Sequence, residues 1–228
     1  MSSLAVLGTA ALVWLFLHVV VAGSDVRFWL TRRIGEQPFR AAFALASVGA
    51  LVFLVFAYRR APCAPLWTLS RDAAWLPLFV MPPAFVLLAG AFTVPNPTAV
   101  AAEAALKRPE PARGVLRITR HPFLWAVTLW AAAHLLVNGN SASLLFFGTL
   151  SLTAVLGTRS IDRKRARTHP DSWGAYRQRT SNLPFLALIQ RRNRLVAREL
   201  WLPIAIGAAL TLATLAFHES LFHVAPMP

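Results

Sequence analysis

With 228 residues, 57% of them hydrophobic and only 14% charged, the chain is too apolar for a soluble globular domain. Its 23 Lys and Arg against 9 Asp and Glu give a formal charge of +14, yet every basic residue lies outside the long apolar runs. No zinc-finger, basic-zipper or RNA-recognition motif accompanies that charge, and the single cysteine, Cys63, allows neither an intramolecular disulfide nor a Cys-x-x-Cys metal site, so nucleic-acid binding and sulfur chemistry are excluded.

Crossing a bilayer takes roughly 20 mostly apolar residues. In chain order the candidates are Leu4–Ala22, Ala41–Tyr58, Ala74–Val94, Pro122–Val137, Ser141–Gly157 and Leu200–Phe217. The pattern predicts an all-α, polytopic helical bundle of about six transmembrane helices in a single domain over 1–228. The first span ends in Val20-Val21-Ala22, which resembles a cleavage site, but Met1-Ser2-Ser3 carries no basic region, so a retained helix is expected. In the third span Pro77, Pro82 and Pro83 predict a kink rather than a break. The fourth and fifth spans are separated only by Asn138-Gly139-Asn140, a tight antiparallel turn.

Lys and Arg number four in 23–40, three in 59–73, five in 95–121 and eleven in 158–199, so alternate sides hold twenty against three. The positive-inside bias places both termini outside a bacterial cytoplasmic membrane, with the loops at 23–40, 95–121 and 158–199 facing the cytoplasm. Residues 158–199 form the one sizeable cytoplasmic loop. Its apolar stretch Leu183–Ile189 is too short to cross, which predicts an interfacial or re-entrant piece. The basic residues of this loop are expected to serve as topological anchors attracted to anionic lipid, with a dedicated acidic ligand as the alternative.

Ionisable residues within a bilayer are costly, so those found there are candidates for function. His18 interrupts the run Trp14 to Val21, and His134 interrupts Trp130 to Leu136. Imidazole suits iron, copper or zinc, but no carboxylates or thiolates lie nearby to complete a four-ligand zinc site. Haem needs only axial ligands from the protein, and its apolar body suits the Ala- and Trp-rich surroundings. The other reading makes each histidine an interhelical hydrogen bond.

Depth leaves the pairing open. At about 1.5 Å per residue, His18 lies roughly 21 Å below the outer end of its span, His134 roughly 6 Å and His121 roughly 26 Å below the outer surface. His121 is the better match in depth, although tilt narrows the gap to His134. His121 belongs to Arg117-Ile118-Thr119-Arg120-His121-Pro122, with proline favourable in the first turn of the fourth span. Extrapolating the hairpin as continuous helices brings both Arg117 and Arg120 near Asp162, an expected Arg–Asp latch.

These residues resemble, in order along nearly the whole chain, the NnrU-type membrane proteins and the related zeta-carotene isomerases. The matching features are His18, Gly35 to Arg40, Arg117 to Pro122, His134 before Asn138-Gly139, Asp162 with Arg163-Lys164, and Thr180-Ser181 before Pro184-Phe185. The resemblance implies a haem b site with His18 and His134 as axial ligands, and the residues themselves give Arg117, Arg120, His121 and Asp162 as a candidate supporting cluster at the cytoplasmic end. The NnrU branch implies a setting in nitrogen-oxide metabolism, with nitric oxide as a candidate ligand. The isomerase branch implies redox-dependent isomerisation of a hydrophobic small molecule. That branch carries a cysteine three residues before the second histidine, where this chain has Ala131.

A second likeness joins Arg120-His121-Pro122, Asp162, Gly174, Tyr176 and Pro184 to membrane methyltransferases that use S-adenosylmethionine. Their paired glutamates are reduced here to Asp162 followed by Arg163. A non-enzymatic membrane scaffold or assembly factor is the third expectation.

Overall fold

The computed structural model describes residues 2–226, all helix and loop apart from one isolated bridge between Pro65 and Asn140. Five helical spans are long and apolar enough to cross a membrane: 3–21, 36–58, 72–93, 141–168 and 201–222. Pro122–Asn138 is apolar but shorter. The fold is therefore the expected all-α polytopic membrane architecture, in two compact units that share two helices by their halves.

The first unit holds residues 1–70 and 131–160. Helix α1, Ser3–Leu15, runs into a π-helical turn, Phe16–Val21. Next comes α2, Asp25–Ile34, capped by the Ser24 hydroxyl, which accepts from the Val26 N–H. This helix corrects the reading of 23–40 as loop. It exposes Phe28, Trp29 and Ile34 beside three arginines, a composition suited to a membrane interface. Gly35 separates it from α3, Glu36–Tyr58, and Glu36 ties the two helices by accepting from Arg27 and, at 2.8 Å, from Arg40. Buried Leu7, Ala10 and Ala11 of α1, with Ala50, Leu54 and Ala57 of α3, are mostly small, which suits close helix packing in lipid.

The second unit holds 71–130 and 161–228. Here α4, Leu76–Thr93, continues through Pro82 and Pro83, as expected, and Pro77 sits in its first turn, where no backbone bond is lost. Arg165, 3% exposed, donates to the carbonyls of Pro97 and Ala99, both at 2.9 Å, and pairs with Glu103, which pins the segment after α4.

Helices α5, Pro122–Asn138, and α6, Ser141–Thr168, pass through both units. Between them Gly139 has φ +52°, its N–H donates to the Leu135 carbonyl at 3.1 Å, and its own carbonyl accepts from Leu66 and Trp67. A Cβ at Gly139 would stand 2.2 Å from the Trp67 carbonyl oxygen. Gly139→Ala is expected to lower stability by about 2 kcal/mol or more, since left-handed backbone and steric clash add. A thermal melt of the detergent-solubilised variant matching wild type would refute this.

Helix α6 runs about three turns past the apolar span that ends at Gly157, because residues 158–168 hold no glycine or proline. The segment 158–199 is therefore largely structured. It continues as α7, Pro170–Arg179, and a single turn α8, Leu186–Ile189, leaving Leu183, Phe185 and Ile189 exposed. The chain closes the second unit with α9, Trp201–Phe222, packed on α4 where buried Gly207 meets Val86.

Candidate functional site

His18 lies within the π-helical turn, where the backbone ladder lengthens and Ala22 N–H reaches back to the Leu17 carbonyl at 3.0 Å. Such wide turns concentrate at functional positions because they re-aim side chains. Gly23 closes the turn. A Cβ there would lie 2.6 Å from the Val19 carbonyl oxygen and 2.9 Å from that of His18.

The half-buried His18 ring is held on several sides. Nδ1 lies 2.9 Å from the Trp14 carbonyl, so the N–H belongs there and Nε2 carries the lone pair. The Trp14 ring stacks on it at 4.0 Å, and Phe43 of α3 meets it edge-on at 5.3 Å. Trp14 itself donates to Thr153 of α6 at 3.1 Å. His134, on α5 in the same unit, is half-buried and stacks on Phe147 of α6 at 5.4 Å.

Among the described residues no three His, Cys, Asp or Glu side chains come together, so an all-protein metal site has no donor set. An imidazole oriented by a backbone carbonyl, with its other nitrogen available and aromatic rings around it, could hold haem iron through that nitrogen. His18 thus presents a donor that would suit the group, whereas His134 is described by its stacking on Phe147.

The predicted latch forms in the second unit, with one correction. Arg120 grips Asp162 through Nε, at 2.9 and 3.1 Å from the two carboxylate oxygens, and through Nη2. His121 Nε2–H donates to Asp162 Oδ1 at 2.7 Å. Arg117, however, does not reach Asp162. Its guanidinium binds Glu199, Nε to Oε2 at 2.8 Å and Nη2 to Oε1 at 3.0 Å, and donates to Asn193 at 2.8 Å. The helical extrapolation fails because Gly114–Arg117 is a 3-10 turn that precedes α5 rather than continuing it.

The motif is locked from the other side. Arg120 N–H donates to the Ser181 carbonyl, Phe185 N–H to the Ile118 carbonyl, both at 2.9 Å, and the Thr119 hydroxyl to the Asn182 carbonyl at 2.6 Å. Phe185 takes φ +64° to do so. Burial holds His121 below the ordinary histidine range, opposed by Asp162, so the ring is neutral. Burial likewise pushes the Tyr176 hydroxyl up. His121 Nδ1, Trp173 Nε1 and Tyr176 Oη are buried without a hydrogen-bond partner among the described residues, beside an arginine whose guanidinium lies 6.0 Å from the Trp173 ring.

Sequence reasoning missed Glu199 and Asn193 as partners of Arg117, and Trp14 as the support of His18. One signal for Glu199 was present: it is a lone acid among arginines at the edge of a span.

The chain is similar to two plant proteins named 15-cis-zeta-carotene isomerase, chloroplastic. The Arabidopsis thaliana protein is 28% identical over 170 residues, 70% of this chain and 44% of its own length. The Zea mays protein is 28% identical over 169 residues, 71% of this chain and 45% of its own. The matched region thus spans less than half the length of either relative. No solved structure gives a significant match. The family model described as NnrU protein matches residues 6–226, a stretch that includes His18, the Arg117–Pro122 motif, His134 and Asp162. The chain belongs to the NnrU family.

Proposed function

We propose that this membrane protein binds haem b through His18 and His134 and serves a redox-linked reaction on a small molecule within the bilayer. The observation that carries the reading is the His18 ring: Nδ1–H tied to the Trp14 carbonyl at 2.9 Å, Nε2 left to donate, and Trp14 and Phe43 against its faces. The carbonyl bond sets the tautomer and raises the basicity of Nε2. Both histidines lie in apolar helical segments, which would limit the access of water once they are in a bilayer. Haem would supply a one-electron couple and a Lewis-acidic iron.

The similarity to carotene isomerases favours a hydrophobic substrate admitted sideways between helices, with redox-dependent isomerisation as the reaction class. Ala131, buried, provides no thiol near His134, so any ligand exchange must use another group. For that reason nitric oxide, in a setting of nitrogen-oxide metabolism, stands beside the hydrophobic substrate as a ligand to test. The charge bias of twenty against three supports a bacterial inner-membrane protein with both termini outside.

Methyl transfer is less well supported, because both Asp162 oxygens are engaged by Arg120 and one also by His121. The test is the absorption spectrum, oxidised and reduced, of protein produced with haem supplied, beside His18→Ala and His134→Ala. A low-spin b-type spectrum in wild type, lost in both variants, is expected. A colourless wild type would overturn the proposal, whereas variants that keep the chromophore and only melt earlier would support the scaffold reading. Nitric oxide should shift the spectrum in at least one redox state; no shift in either would remove it as a ligand.

A further inference from the structure

The second unit carries a cleft of about 560 Å³ that the haem reading does not use. Its walls include Arg113, Arg117, Arg194 and Arg198, with Glu110 and Glu199. A neighbouring depression of about 340 Å³ shares Glu110, Arg117 and Arg194, and together the two are lined by seven arginines against two glutamates. The two acids are already committed. Glu199 holds Arg117 by paired hydrogen bonds, and Glu110 lies 2.9 Å from Arg179. Arg113, Arg194 and Arg198 are exposed and form no ion pair among the described residues.

Arg113 also acts on Glu199 through its charge, yet the lining keeps more arginines than acids, a surplus that an anion would offset. We infer that the cleft is a binding site for a phosphate-bearing group, contacted by Arg113, Arg194 and Arg198. Guanidinium forks match the oxygens of phosphate, and several can share one dianion. Arg117, immobilised by Glu199 and Asn193, forms a rigid floor.

Position favours a lipid headgroup as the source. Glu199 is two residues before Trp201, which opens the candidate span α9 and is 66% exposed, as expected of an interfacial tryptophan. Leu195, in the wall, and Ile189 are exposed apolar residues. The cleft therefore lies at the polar end of a span, the level of headgroup phosphates, and its specificity goes beyond diffuse attraction of basic loops to an anionic surface.

The test uses the full-length protein in uncharged detergent, titrated with dioctanoyl phosphatidylglycerol, dioctanoyl phosphatidylcholine and inorganic pyrophosphate. The variants are R113Q/R194Q/R198Q and, as a control on basic residues elsewhere, R32Q/R33Q. The triple variant should bind phosphatidylglycerol at least tenfold more weakly, with the control unchanged and wild-type binding weakened by salt. Loss of phosphatidylglycerol binding identifies the lipid as source, whereas pyrophosphate binding lost in the triple variant without any lipid binding identifies a free phosphate compound. Equal affinity of wild type and triple variant for both probes overturns the site, as does an equal loss in R32Q/R33Q. Since the three arginines are exposed, the triple variant should melt with wild type, and a melt confirms that it is folded.

Discussion

Asp162→Ala should cost about 3–5 kcal/mol of stability, a larger loss than any surface substitution can produce. The carboxylate is the shared acceptor of Arg120 and His121, whose side chains are 8% and 0% exposed. Its removal strands a buried guanidinium with no other acid paired to it among the described residues, and the imidazole N–H loses its acceptor at 2.7 Å. Breaking a buried pair from one side is costly because the surviving charge keeps its desolvation penalty. Removing the charges together should therefore be milder. Arg120→Met combined with Asp162→Leu is expected to recover most of the loss, and non-additivity measures the coupling. Thermal unfolding in detergent, followed by circular dichroism, should show a fall on the order of 10 °C for Asp162→Ala. A shift of about 2 °C or less would mean that the latch contributes nothing beyond an exposed ion pair.

Loss of Glu199 should rank second, at about 3 kcal/mol for Glu199→Ala. Arg117 is 6% exposed, and Glu199 supplies both oxygens to it while also accepting from the Gly114 N–H at 2.6 Å. Glu199→Gln retains the shape and one acceptor, so a smaller loss is expected. The same acid makes stability pH-dependent. Hydrogen bonds from Arg117, helped by the Gly114 N–H, hold the Glu199 carboxyl below its ordinary 4.5, so its contribution is present above that pH and disappears as pH falls through the lower folded value. His121 acts in the same direction from a higher starting point. Burial holds it below 6.5, so the unfolded chain takes up a proton first and stability falls from about pH 6.5 downward until the folded value is passed. A pH series of melting temperatures should therefore decline in two acid stages, and His121→Gln should remove the upper one. A flat profile between pH 7 and 5 in wild type would contradict a buried neutral His121.

The spans were legible because crossing a bilayer is a local requirement, met by a run of about 20 apolar residues whatever the rest of the chain does. The Asn138-Gly139-Asn140 turn was legible for a similar reason, since glycine takes φ > 0 without steric cost. Helix α2 was hidden by its arginines, which read as loop when only hydropathy is considered. The extension of α6 was hidden likewise, because helix propensity continues after hydrophobicity stops.

What the sequence by itself determined is the all-α membrane class, the positions of five of the six expected spans, the family and the pairing of Arg120 with Asp162, which follows from a hairpin of regular helices. Only the tertiary structure decided the π turn that orients His18, the capture of Arg117 by Glu199 across 82 residues, and the gathering of arginines from separate segments into one cleft. The physical reason is range. Hydropathy and turn chemistry act between neighbours, whereas a buried charge selects its partner by which distant acid the packed backbone brings within hydrogen-bond reach.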